Sequence, residues 1–421
     1  MDAKEAIAYL DRALPTRSEP TLRRIEELLR LLGDPQKKLK FIHIAGTNGK
    51  GSCAAMLASI LRAAGYHTGL YTSPYLYRFT ERMQIDGEEI SAEALARCAS
   101  DVKKYADKMD AEPTPFELIT ATALLWFAEE RCDVVVLEAG LGGRCDATNV
   151  IAAPECCVLM NIGLDHTRLL GSTREQIAAE KAGIIKPGVP CVVYEQDESV
   201  LAVFRERCAA LGAPLICADF SRLSTEFDTL EGQVFSYRGE QYALSLPGAH
   251  QRRNAAAVIE AARVLRDRGW AVGQDALEHG LYAASWPGRF ELCCDEPPFI
   301  VDAGHNPQCA EAVCESLLHY FPDSHRVLLV GVLRDKDYAV MARILDRAAD
   351  EYVCTAPESD RALGAGELAA CLESFGKPVT VCESVSDAVF AAKEHAGADG
   401  MVCAFGSVYL AGAVRYQLGM Y

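Results

Sequence analysis

A glycine-rich loop is the feature of the sequence with the clearest chemical potential. It follows the apolar run of residues 41–45, precedes an Ala-rich stretch of helical spacing at residues 53–64, and reads Gly46-Thr47-Asn48-Gly49-Lys50-Gly51-Ser52. Glycines let backbone N–H groups turn toward phosphate oxygens, and the start of a helix adds a partial positive charge. A lysine in such a loop can reach the terminal phosphates of a nucleotide. The order strand, loop, helix therefore predicts a site for a nucleoside triphosphate.

This first glycine loop (residues 46–52) departs from the usual spacing of phosphate-binding loops. In the pattern G-x-x-x-x-G-K-S/T, Ile44 stands at the first glycine, and Gly51 separates Lys50 from Ser52. The alternative interpretation is a glycine-rich turn with an exposed lysine. The strand and the helix on either side favour nucleotide binding.

A carboxylate follows the apolar run of residues 134–137, where we expect a buried strand to end. Glu138 precedes a second glycine loop (residues 139–144) that ends in Arg144. A carboxylate at the end of a buried strand is costly unless it meets a cation, and phosphoryl transfer needs a metal with hard oxygen ligands. Glu138 is therefore the best candidate for a magnesium ligand. The alternative is a simple ion pair with Arg144.

Two further polar side chains follow the next apolar run, residues 156–162. Asp165 and His166 stand just after this run, at a second expected strand end. The carboxyl ends of parallel strands lie at one edge of a sheet, which is where ligands bind in open α/β folds. A lone histidine is usually structural, so both a functional and a structural interpretation of this pair stay open.

These side chains must be positioned by strands that alternate with helices. Apolar runs separated by helical patterns occur at residues 41–45, 134–137, 156–162 and 190–194, and again at 299–301, 326–332, 352–355, 379–382 and 401–405. This alternation predicts an α/β fold with two mostly parallel sheets. Between the two series, residues 233–246 predict a hairpin split at Arg238-Gly239, and residues 254–267 predict a helix. We place the domain boundary near Trp286, which gives domains 1–285 and 286–421.

Composition limits the function classes. The chain has 421 residues, with 42 Lys plus Arg against 59 Asp plus Glu and a formal net charge of −17, so we expect neither nucleic acid nor an anionic membrane surface as a partner. Residues 1–15 predict a short amphipathic helix rather than an export signal, and the apolar runs are strand-sized, so we expect a cytoplasmic protein. The 17 cysteines are scattered and lack C-x-x-C pairs, which favours reduced core thiols over the alternative of a zinc site.

Several motifs in order resemble one enzyme family. The chain carries GTNGKGS, then LEAGLGGRCDATN at residues 137–149, LDHTRLLGSTREQIAAEKAGIIKPG at 164–188, HQRRNA at 250–255, and a segment around His305. This set resembles the folylpolyglutamate synthase and dihydrofolate synthase family, within the wider Mur-ligase-type amide ligases, and it extends from the first strand to Ser407. The resemblance implies a P-loop-containing Mur-ligase-type domain with a mostly parallel sheet, followed by a smaller Rossmann-like α/β domain.

The resemblance also implies a reaction and its reactants. ATP would phosphorylate the carboxylate of dihydropteroate or a reduced folate, and the amine of L-glutamate would then displace phosphate from the acyl phosphate. Such a reaction needs alignment of three reactants and charge stabilisation rather than a protein nucleophile. It implies ATP and two Mg²⁺ ions, with no nucleic acid and no membrane partner, and we expect a monomer.

The resemblance assigns roles to individual residues. It places Gly46, Thr47, Asn48, Gly49, Lys50, Gly51 and Ser52 at the ATP phosphates. It makes Ser73 and Glu138 ligands of the first magnesium, His166 a ligand of the second, and Lys181 a carbamylated lysine that serves as an anionic oxygen ligand. By sequence alone, Lys181 would be a solvated helix lysine.

Further roles follow from the same resemblance. Asn254 corresponds to an adenine contact, Arg289 to a phosphate contact and Asp302 to a ribose contact, while His305 and Ser407 correspond to positions tied to glutamate. Phe116 resembles an aromatic residue near the folate pocket, although a core phenylalanine is the alternative.

Two departures from the family pattern stand out. Ala303-Gly304 exchanges the usual Gly-Ala order between Asp302 and His305, and Tyr75 follows Pro74 where histidine is common.

Two other functions stay open. A Mur ligase acting on a UDP-muramyl peptide would share the chemistry, but those ligases carry a UDP-sugar domain before the glycine loop, and only 45 residues precede Gly46 here. A non-catalytic ATP-binding switch would leave the second α/β unit without a role.

Overall fold

The computed structural model describes residues 1–12 and 21–421. The end of the helix predicted for residues 1–15 lies partly outside them. The chain forms two compact units: the first comprises Met1–Tyr75, Phe79–Leu223 and Arg253–Ala284, and the second comprises Leu76–Arg78, Ser224–Arg252 and Ser285–Tyr421.

An eight-stranded sheet organises the first unit. Its strands, in chain order, are β1 (Phe41–Ala45), β2 (Thr68–Tyr71), β3 (Met83–Ile85), β4 (Glu88–Glu89), β5 (Val134–Glu138), β6 (Cys156–Leu159), β7 (Cys191–Val193) and β8 (Leu215–Cys217). The order across the sheet is β4-β3-β2-β5-β1-β6-β7-β8, and only β3 and β4 run antiparallel to their neighbours. The central strands β1, β5 and β6 are buried throughout, as expected for parallel strands covered on both faces.

Helices cover both faces of this sheet. They are α1 (Ala3–Leu10), α2 (Arg23–Leu31), α3 (Lys50–Ala63), α4 (Ala92–Ala106), α5 (Pro115–Glu129), α6 (Thr167–Leu170), α7 (Arg174–Lys181), α8 (Glu198–Leu211), most of α9 (Ala249–Asp267) and α10 (Gln274–Tyr282). Local sequence sets several of their starts. At α5, the Thr114 side chain accepts a bond from the Glu117 amide while the Glu117 side chain accepts one from the Thr114 amide, and Pro115 occupies the first helical position.

The second unit contains a small antiparallel sheet and a larger sheet. Strands β9 (Leu223–Thr229), β10 (Gly232–Tyr237) and β11 (Glu240–Leu244) form the small sheet in the order β11-β10-β9. The predicted hairpin is confirmed as β10 and β11. Arg238 and Gly239 turn between them with φ of 52° and 84°, the positive values that a two-residue hairpin turn of the favoured type needs.

The larger sheet of the second unit has six strands. They are β12 (Glu291–Asp295), β13 (Pro298–Asp302), β14 (Arg326–Val330), β15 (Glu351–Cys354), β16 (Val379–Val381) and β17 (Met401–Phe405), in the order β12-β13-β17-β14-β15-β16 with only β12 antiparallel. Helices α11 (Pro307–Tyr320), α12 (Tyr338–Leu345), α13 (Ala365–Glu373), α14 (Val385–Ala396) and α15 (Val408–Gln417) connect them. The predicted pair of mostly parallel α/β sheets is therefore confirmed.

The cysteines are free thiols, and most of them are buried. Burial raises the pKa of several, including Cys98 and Cys157, each to about 12, so these side chains are neutral packing groups. No helix within residues 1–12 and 21–421 is both long enough and apolar enough to cross a bilayer.

Close packing between α10 and α3 depends on Gly280. A Cβ atom at this position would lie 2.4 Å from Ile60 Cα and 2.7 Å from Ile60 N. Backbone atoms cannot yield as a flexible side chain can, so we expect Gly280→Ala to lower the free energy of unfolding by about 1–3 kcal/mol.

Gly366, near the start of α13, provides a matched control because no atom lies within 4 Å of a Cβ placed there. Gly366→Ala should leave stability unchanged or raise it by up to about 1 kcal/mol, since alanine favours a helix over glycine. Urea unfolding of both variants measures the difference, and equal effects would contradict this account of the α3–α10 contact.

Candidate active site

The predicted site residues of the first unit meet at one edge of its sheet. Ile44 of β1 pairs with Glu138 of β5, Ala45 pairs with Leu159 of β6, and Tyr71 of β2 pairs with Leu137. These strands are parallel, so the segments that follow them all begin at the same edge. Strand register thus brings the first glycine loop, Glu138 and the turn after β2 together, which is the usual ligand-binding edge of an open α/β sheet.

The first glycine loop is braced by the segment after β6. The Thr47 and Asn48 amides donate to the Asn161 carbonyl at 2.8 and 3.3 Å, and Thr47 Oγ1 donates to the Gly163 carbonyl at 3.2 Å. These two amides therefore serve the loop itself. α3 begins at Lys50, and the partial positive charge of a helix start makes this end of α3 the better candidate to face an anion.

Glu138 is buried and lies beside Lys50. Lys50 Nζ is 3.7 Å from Glu138 Oε1, and the Ser73 amide donates to Glu138 Oε2 at 3.3 Å. The alternative partner, Arg144, instead pairs with Glu180 at 2.9 Å on the surface. The carboxylate is therefore compensated by the lysine of the first glycine loop, and the interpretation of Lys50 as an exposed turn lysine is wrong.

Lys181 lies in the same cluster. Its side chain ends α7, is 5% exposed, and donates from Nζ to the Gly46 carbonyl at 2.7 Å. Burial first and the charge of Lys50 second lower the pKa of Lys181 to about 7, against the opposing effects of Asp165, Asp146 and Glu138. The expectation of a solvated helix lysine is wrong, because this amine is buried and readily becomes neutral.

His166 and Asp165 stand after β6. His166 is exposed, adopts a left-handed backbone with φ of 50° before α6, and its Nε2 lies 3.9 Å from Asp165 Oδ1. The carboxylate of Asp165 raises the pKa of Lys181 against the effect of burial.

Phe116 lies at the start of α5 and is partly buried against the core of the first unit. Its ring centre is 6.2 Å from that of Tyr71, and its Cζ lies 2.5 Å from a Cβ placed on Gly140 of the second glycine loop. Phe116 thus both packs against the core and adjoins this loop. Tyr75, the departure from the family pattern, donates its hydroxyl to Asp11 at 3.3 Å, and its ring stacks 4.9 Å from the Arg82 guanidinium.

Asn254 approaches the first glycine loop from α9. Its Oδ1 lies 2.6 Å from a Cβ placed on Gly49, which has φ of 83° and precedes α3. Gly49 is thus required by its backbone conformation and by the proximity of Asn254.

The second unit gathers its predicted residues at the carboxyl ends of β13 and β17, where Asp302 pairs with Phe405. Asp302 is buried and accepts bonds from the Phe290 and Gly304 amides at 2.8 and 2.7 Å. The Ser407 side chain caps α15 by accepting from the Leu410 amide at 3.0 Å.

The remaining two residues flank this edge. His305 Nδ1 donates to the Ala303 carbonyl at 3.1 Å. Arg289 is half-buried and donates to the Gly288 carbonyl at 3.2 Å. The Ala303-Gly304 order suits this backbone, because a Cβ on Gly304 would lie 2.7 Å from Asp302 Oδ1.

The donors present fit a hard divalent cation. A buried carboxylate, Glu138, and a partly buried serine, Ser73, supply oxygen ligands, which magnesium prefers. No group of three or more His, Cys, Asp or Glu side chains in the described residues is placed to hold a metal, and the zinc alternative has no such cluster there.

Sequence reasoning missed the residues that support the loops. Asn161 and Gly163 brace the first glycine loop through carbonyl groups, which carry no side-chain signal. Asp146 holds the second glycine loop by accepting from the Leu141 amide at 2.8 Å. Asp146-Ala147-Thr148 has the Asp-x-Thr spacing of a local side-chain turn and could have been found.

Comparison with known proteins defines the class first. The model of the Mur ligase middle domain matches residues 44–262, and that of the Mur ligase glutamate ligase domain matches residues 288–408. The chain is therefore a Mur-type ligase in fold.

Individual relatives narrow the class. The dihydrofolate synthase/folylpolyglutamate synthase of Bacillus subtilis is 36% identical over 99% of both chains. The structure of Mycobacterium tuberculosis folylpolyglutamate synthase complexed with ADP and AMPPCP matches with a TM-score of 0.90 and 33% identity over 99% of both chains. The bifunctional enzyme of Yersinia pestis, complexed with AMPPNP and a Mn ion, matches with a TM-score of 0.85 and 32% identity over 100% of this chain and 98% of that one. The chain belongs to the folylpolyglutamate synthase/dihydrofolate synthase family.

Replacing Gly49 tests the geometry of the first glycine loop. Gly49→Ala places a Cβ against Asn254 and forces alanine into a left-handed conformation that costs about 1–2 kcal/mol. We expect ADP affinity, measured by titration calorimetry, to fall about tenfold or more.

Gly65→Ala is the matched control. Gly65 follows the same helix with φ of 86°, but no atom lies within 4 Å of its added Cβ. This variant should lose comparable stability and keep its ADP affinity. A similar loss of affinity in both variants would show that general strain, rather than the contact with Asn254, is responsible.

Proposed function

We propose that the protein is an ATP-dependent ligase that joins L-glutamate to the carboxylate of dihydropteroate, a reduced folate, or both. The observation that carries the proposal is the convergence of the first glycine loop, Lys50, Glu138 and Lys181 at one sheet edge, in a chain whose family acts on folates. The product is an amide, and ADP and phosphate are released.

The reaction balances in two displacements. An oxygen of the substrate carboxylate attacks the γ-phosphorus of ATP, and ADP leaves. The neutral amine of glutamate then attacks the acyl carbon, the C–O bond to phosphate breaks, and the amine loses a proton. Neither displacement needs a covalent bond to the protein, which agrees with the lack of a nucleophile–base pair among the residues assigned to the site.

Lys50 and the start of α3 are proposed to bind the phosphates of ATP. Both offer positive charge at the same sheet edge, and Glu138 and the Thr47 carbonyl hold the lysine there. Charge stabilisation that is organised in advance lowers the barrier most effectively. Gly46, Gly49, Gly51 and Ser52 shape the same loop.

Glu138 and Ser73 are proposed to hold one magnesium ion, and His166 a second. When bound, magnesium neutralises the charge that develops on the transferred phosphoryl group. Lys181 is proposed to bear a carbamate. A carbamate forms when a neutral amine attacks CO₂ and loses a proton, and the lowered pKa of Lys181 favours the neutral amine.

We propose that residues 1–285 form an ATP- and folate-binding domain and that residues 286–421 form a glutamate-ligase domain. Asn254 and Asp302 are assigned to adenine and ribose, Arg289 to phosphate, and His305 and Ser407 to glutamate, with Phe116 at the folate. The hydrogen bond from Nδ1 to the Ala303 carbonyl fixes the orientation of the His305 ring. All proposed groups belong to one chain, and we propose that it acts as a monomer.

Two alternatives are less well supported. A ligase for UDP-muramyl peptides would be expected to match relatives with that name, whereas the relatives described above carry folate names over nearly the full chain. A nucleotide switch would not need the buried Lys181, whose amine contacts the Gly46 carbonyl of the first glycine loop.

Product analysis tests the proposed function. The protein is incubated with ATP, magnesium and L-glutamate, with dihydropteroate and tetrahydrofolate offered separately, and the products are weighed by mass spectrometry. We expect a mass gain of one or more glutamyl units and phosphate release that requires both substrates. Glu138→Gln is the control and should lower turnover about 100-fold or more while the unfolding midpoint is kept. Phosphate release that ignores both substrates would favour the switch.

Carbon-13 NMR tests the carbamate. With ¹³C-labelled bicarbonate we expect a carbamate signal that strengthens as pH rises from about 6 to 8, because the neutral fraction of Lys181 grows around a pKa of about 7. Lys181→Ala should lose both the signal and activity, and short carboxylates such as acetate should restore part of the activity.

Lys186→Arg serves as control for this measurement. Lys186 also has a pKa lowered by burial and donates to the Asn149 carbonyl at 3.1 Å. Its replacement should leave the signal in place. If Lys181→Ala keeps full activity and the wild type shows no carbamate, the assignment fails.

A further inference from the structure

The strand that leads into the first glycine loop carries a fully buried histidine. His43, on β1, has Nε2 2.8 Å from Thr148 Oγ1. Its Nδ1 is buried and has no hydrogen-bond partner among the described residues. A buried polar side chain with one satisfied nitrogen and one unsatisfied nitrogen calls for a physical reason.

Thr148 connects this histidine to a buried carboxylate. Thr148 Oγ1 is 2.5 Å from Asp146 Oδ1, and the Thr148 amide donates to the same oxygen at 3.0 Å. The other oxygen, Oδ2, accepts from the Leu141 amide at 2.8 Å. Asp146 is 5% exposed, so its position is set by these donors rather than by water.

The directions of these bonds follow from the available protons. A carboxylate at Asp146 can only accept, so the single hydroxyl proton of Thr148 points to Oδ1. The Thr148 oxygen must then accept from His43, which places the histidine proton on Nε2 and leaves Nδ1 without one. The reverse direction would bury an N–H group at Nδ1 with no acceptor, and an unsatisfied donor is costly.

The hydrogen bonds that start at His43 end at the second glycine loop, through Asp146 and the Leu141 amide. A Cβ on Gly140 would lie 2.5 Å from Phe116 Cζ, and a Cβ on Gly143 would lie 2.7 Å from the Lys181 carbonyl. The loop therefore fits closely between the aromatic ring and the helix that ends in Lys181. Any displacement at Leu141 shifts backbone that lies against Phe116.

We propose that His43 and Thr148 are positioning residues that orient the Asp146 carboxylate, and that the carboxylate in turn holds the second glycine loop against Phe116. The ligand affected is the pterin ring of the dihydropteroate or folate substrate, and this part rests on the proposed function. Neither His43 nor Thr148 touches the substrate in this account.

The histidine suits this task because it stays neutral. Burial lowers the pKa of His43 to about 3, and the nearby charge of Lys186 contributes in the same direction. The pKa of Asp146 is raised by burial, while the amides of Leu141, Thr148 and Gly140 and the Thr148 hydroxyl oppose the rise. These hydrogen bonds favour the ionised form of Asp146. The inferred direction of the hydrogen bonds, from His43 through Thr148 to Asp146, requires that form.

Paired substitutions test the positioning role through enzyme kinetics. Thr148→Val keeps the shape and removes the hydroxyl, whereas Thr148→Ser keeps the hydroxyl. We expect Thr148→Val to raise the KM for the pterin or folate substrate about tenfold while the KM for ATP stays within about twofold, and Thr148→Ser to stay near the wild type. His43→Leu should raise the KM for the pterin or folate substrate as Thr148→Val does. His43→Gln can still donate a hydrogen bond, so its KM should lie much closer to that of the wild type.

A destabilised variant in the core of the second unit separates positioning from loss of stability. Leu372 is fully buried in α13. Leu372→Met, or Leu372→Ala if a larger loss is needed, is matched to Thr148→Val in unfolding midpoint and should leave both KM values unchanged. If the matched variant raises the KM for the pterin substrate as much as Thr148→Val does, the role is only structural and the proposal is overturned.

Nitrogen-15 NMR of the histidines gives a readout that does not depend on activity. In full-length protein labelled at its 9 histidines, the resonance missing from His43→Gln identifies His43. We expect a neutral Nε2–H ring that does not titrate between about pH 5 and 8. A proton on Nδ1 would refute the direction of the bonds. If the tautomer is as expected but the wild type makes no glutamylated product, the proposed function is wrong. The hydrogen bonds that join His43, Thr148 and Asp146 are then still supported.

Discussion

The burial of one carboxylate constrains the whole candidate site. Glu138 ends a strand that is buried along its entire length, so its charge cannot rely on water. Isolated charges in such surroundings are costly, and Lys50 at 3.7 Å supplies the compensating charge. Because Lys50 belongs to the first glycine loop, the ion pair also fixes that loop relative to the neighbouring strand.

A second lysine, Lys181, lies at the first glycine loop, where its positive charge is unfavourable. Lys181 is buried, its amine contacts the Gly46 carbonyl, and Lys50 lies near enough to disfavour a second positive charge. With a pKa of about 7, the amine is neutral about half of the time near pH 7. Unlike a charged lysine, a neutral amine is reactive toward electrophiles, and this chemistry follows from burial rather than from sequence context.

Much of the architecture is predictable from the sequence, for clear physical reasons. The apolar runs at residues 134–137 and 401–405 match β5 and β17 to within one residue, and the positive φ values at Arg238 and Gly239 match the hairpin predicted there. Strands β2, β3, β4, β8, β9 and β12 were not predicted. The first four have two to four residues each, and β9 and β12 have no buried residues, so none carries the apolar run that marks a strand in the sequence.

The side-chain environment of the site was less predictable. Glycine spacing and a strand-end acid mark the first glycine loop and Glu138, but sequence alone places Lys181 on a solvated helix face. Its burial depends on how α7 packs beneath the second glycine loop, where the Glu180 carbonyl accepts from the Arg144 amide. The bracing by Asn161 and Gly163 is invisible for a related reason, because it uses carbonyl oxygens that every residue has.

The ends of the two larger sheets have a consequence for solubility. The first sheet ends on one side in β4, two glutamates long, and on the other in the three-residue β8. The second ends in the three-residue β16 and in β12, which has an acidic residue at each end. Exposed strand edges are templates for adding another chain, and short or charged edges offer few backbone groups to pair with. Two open sheets can therefore coexist in this polypeptide with little tendency to template fibrous aggregates.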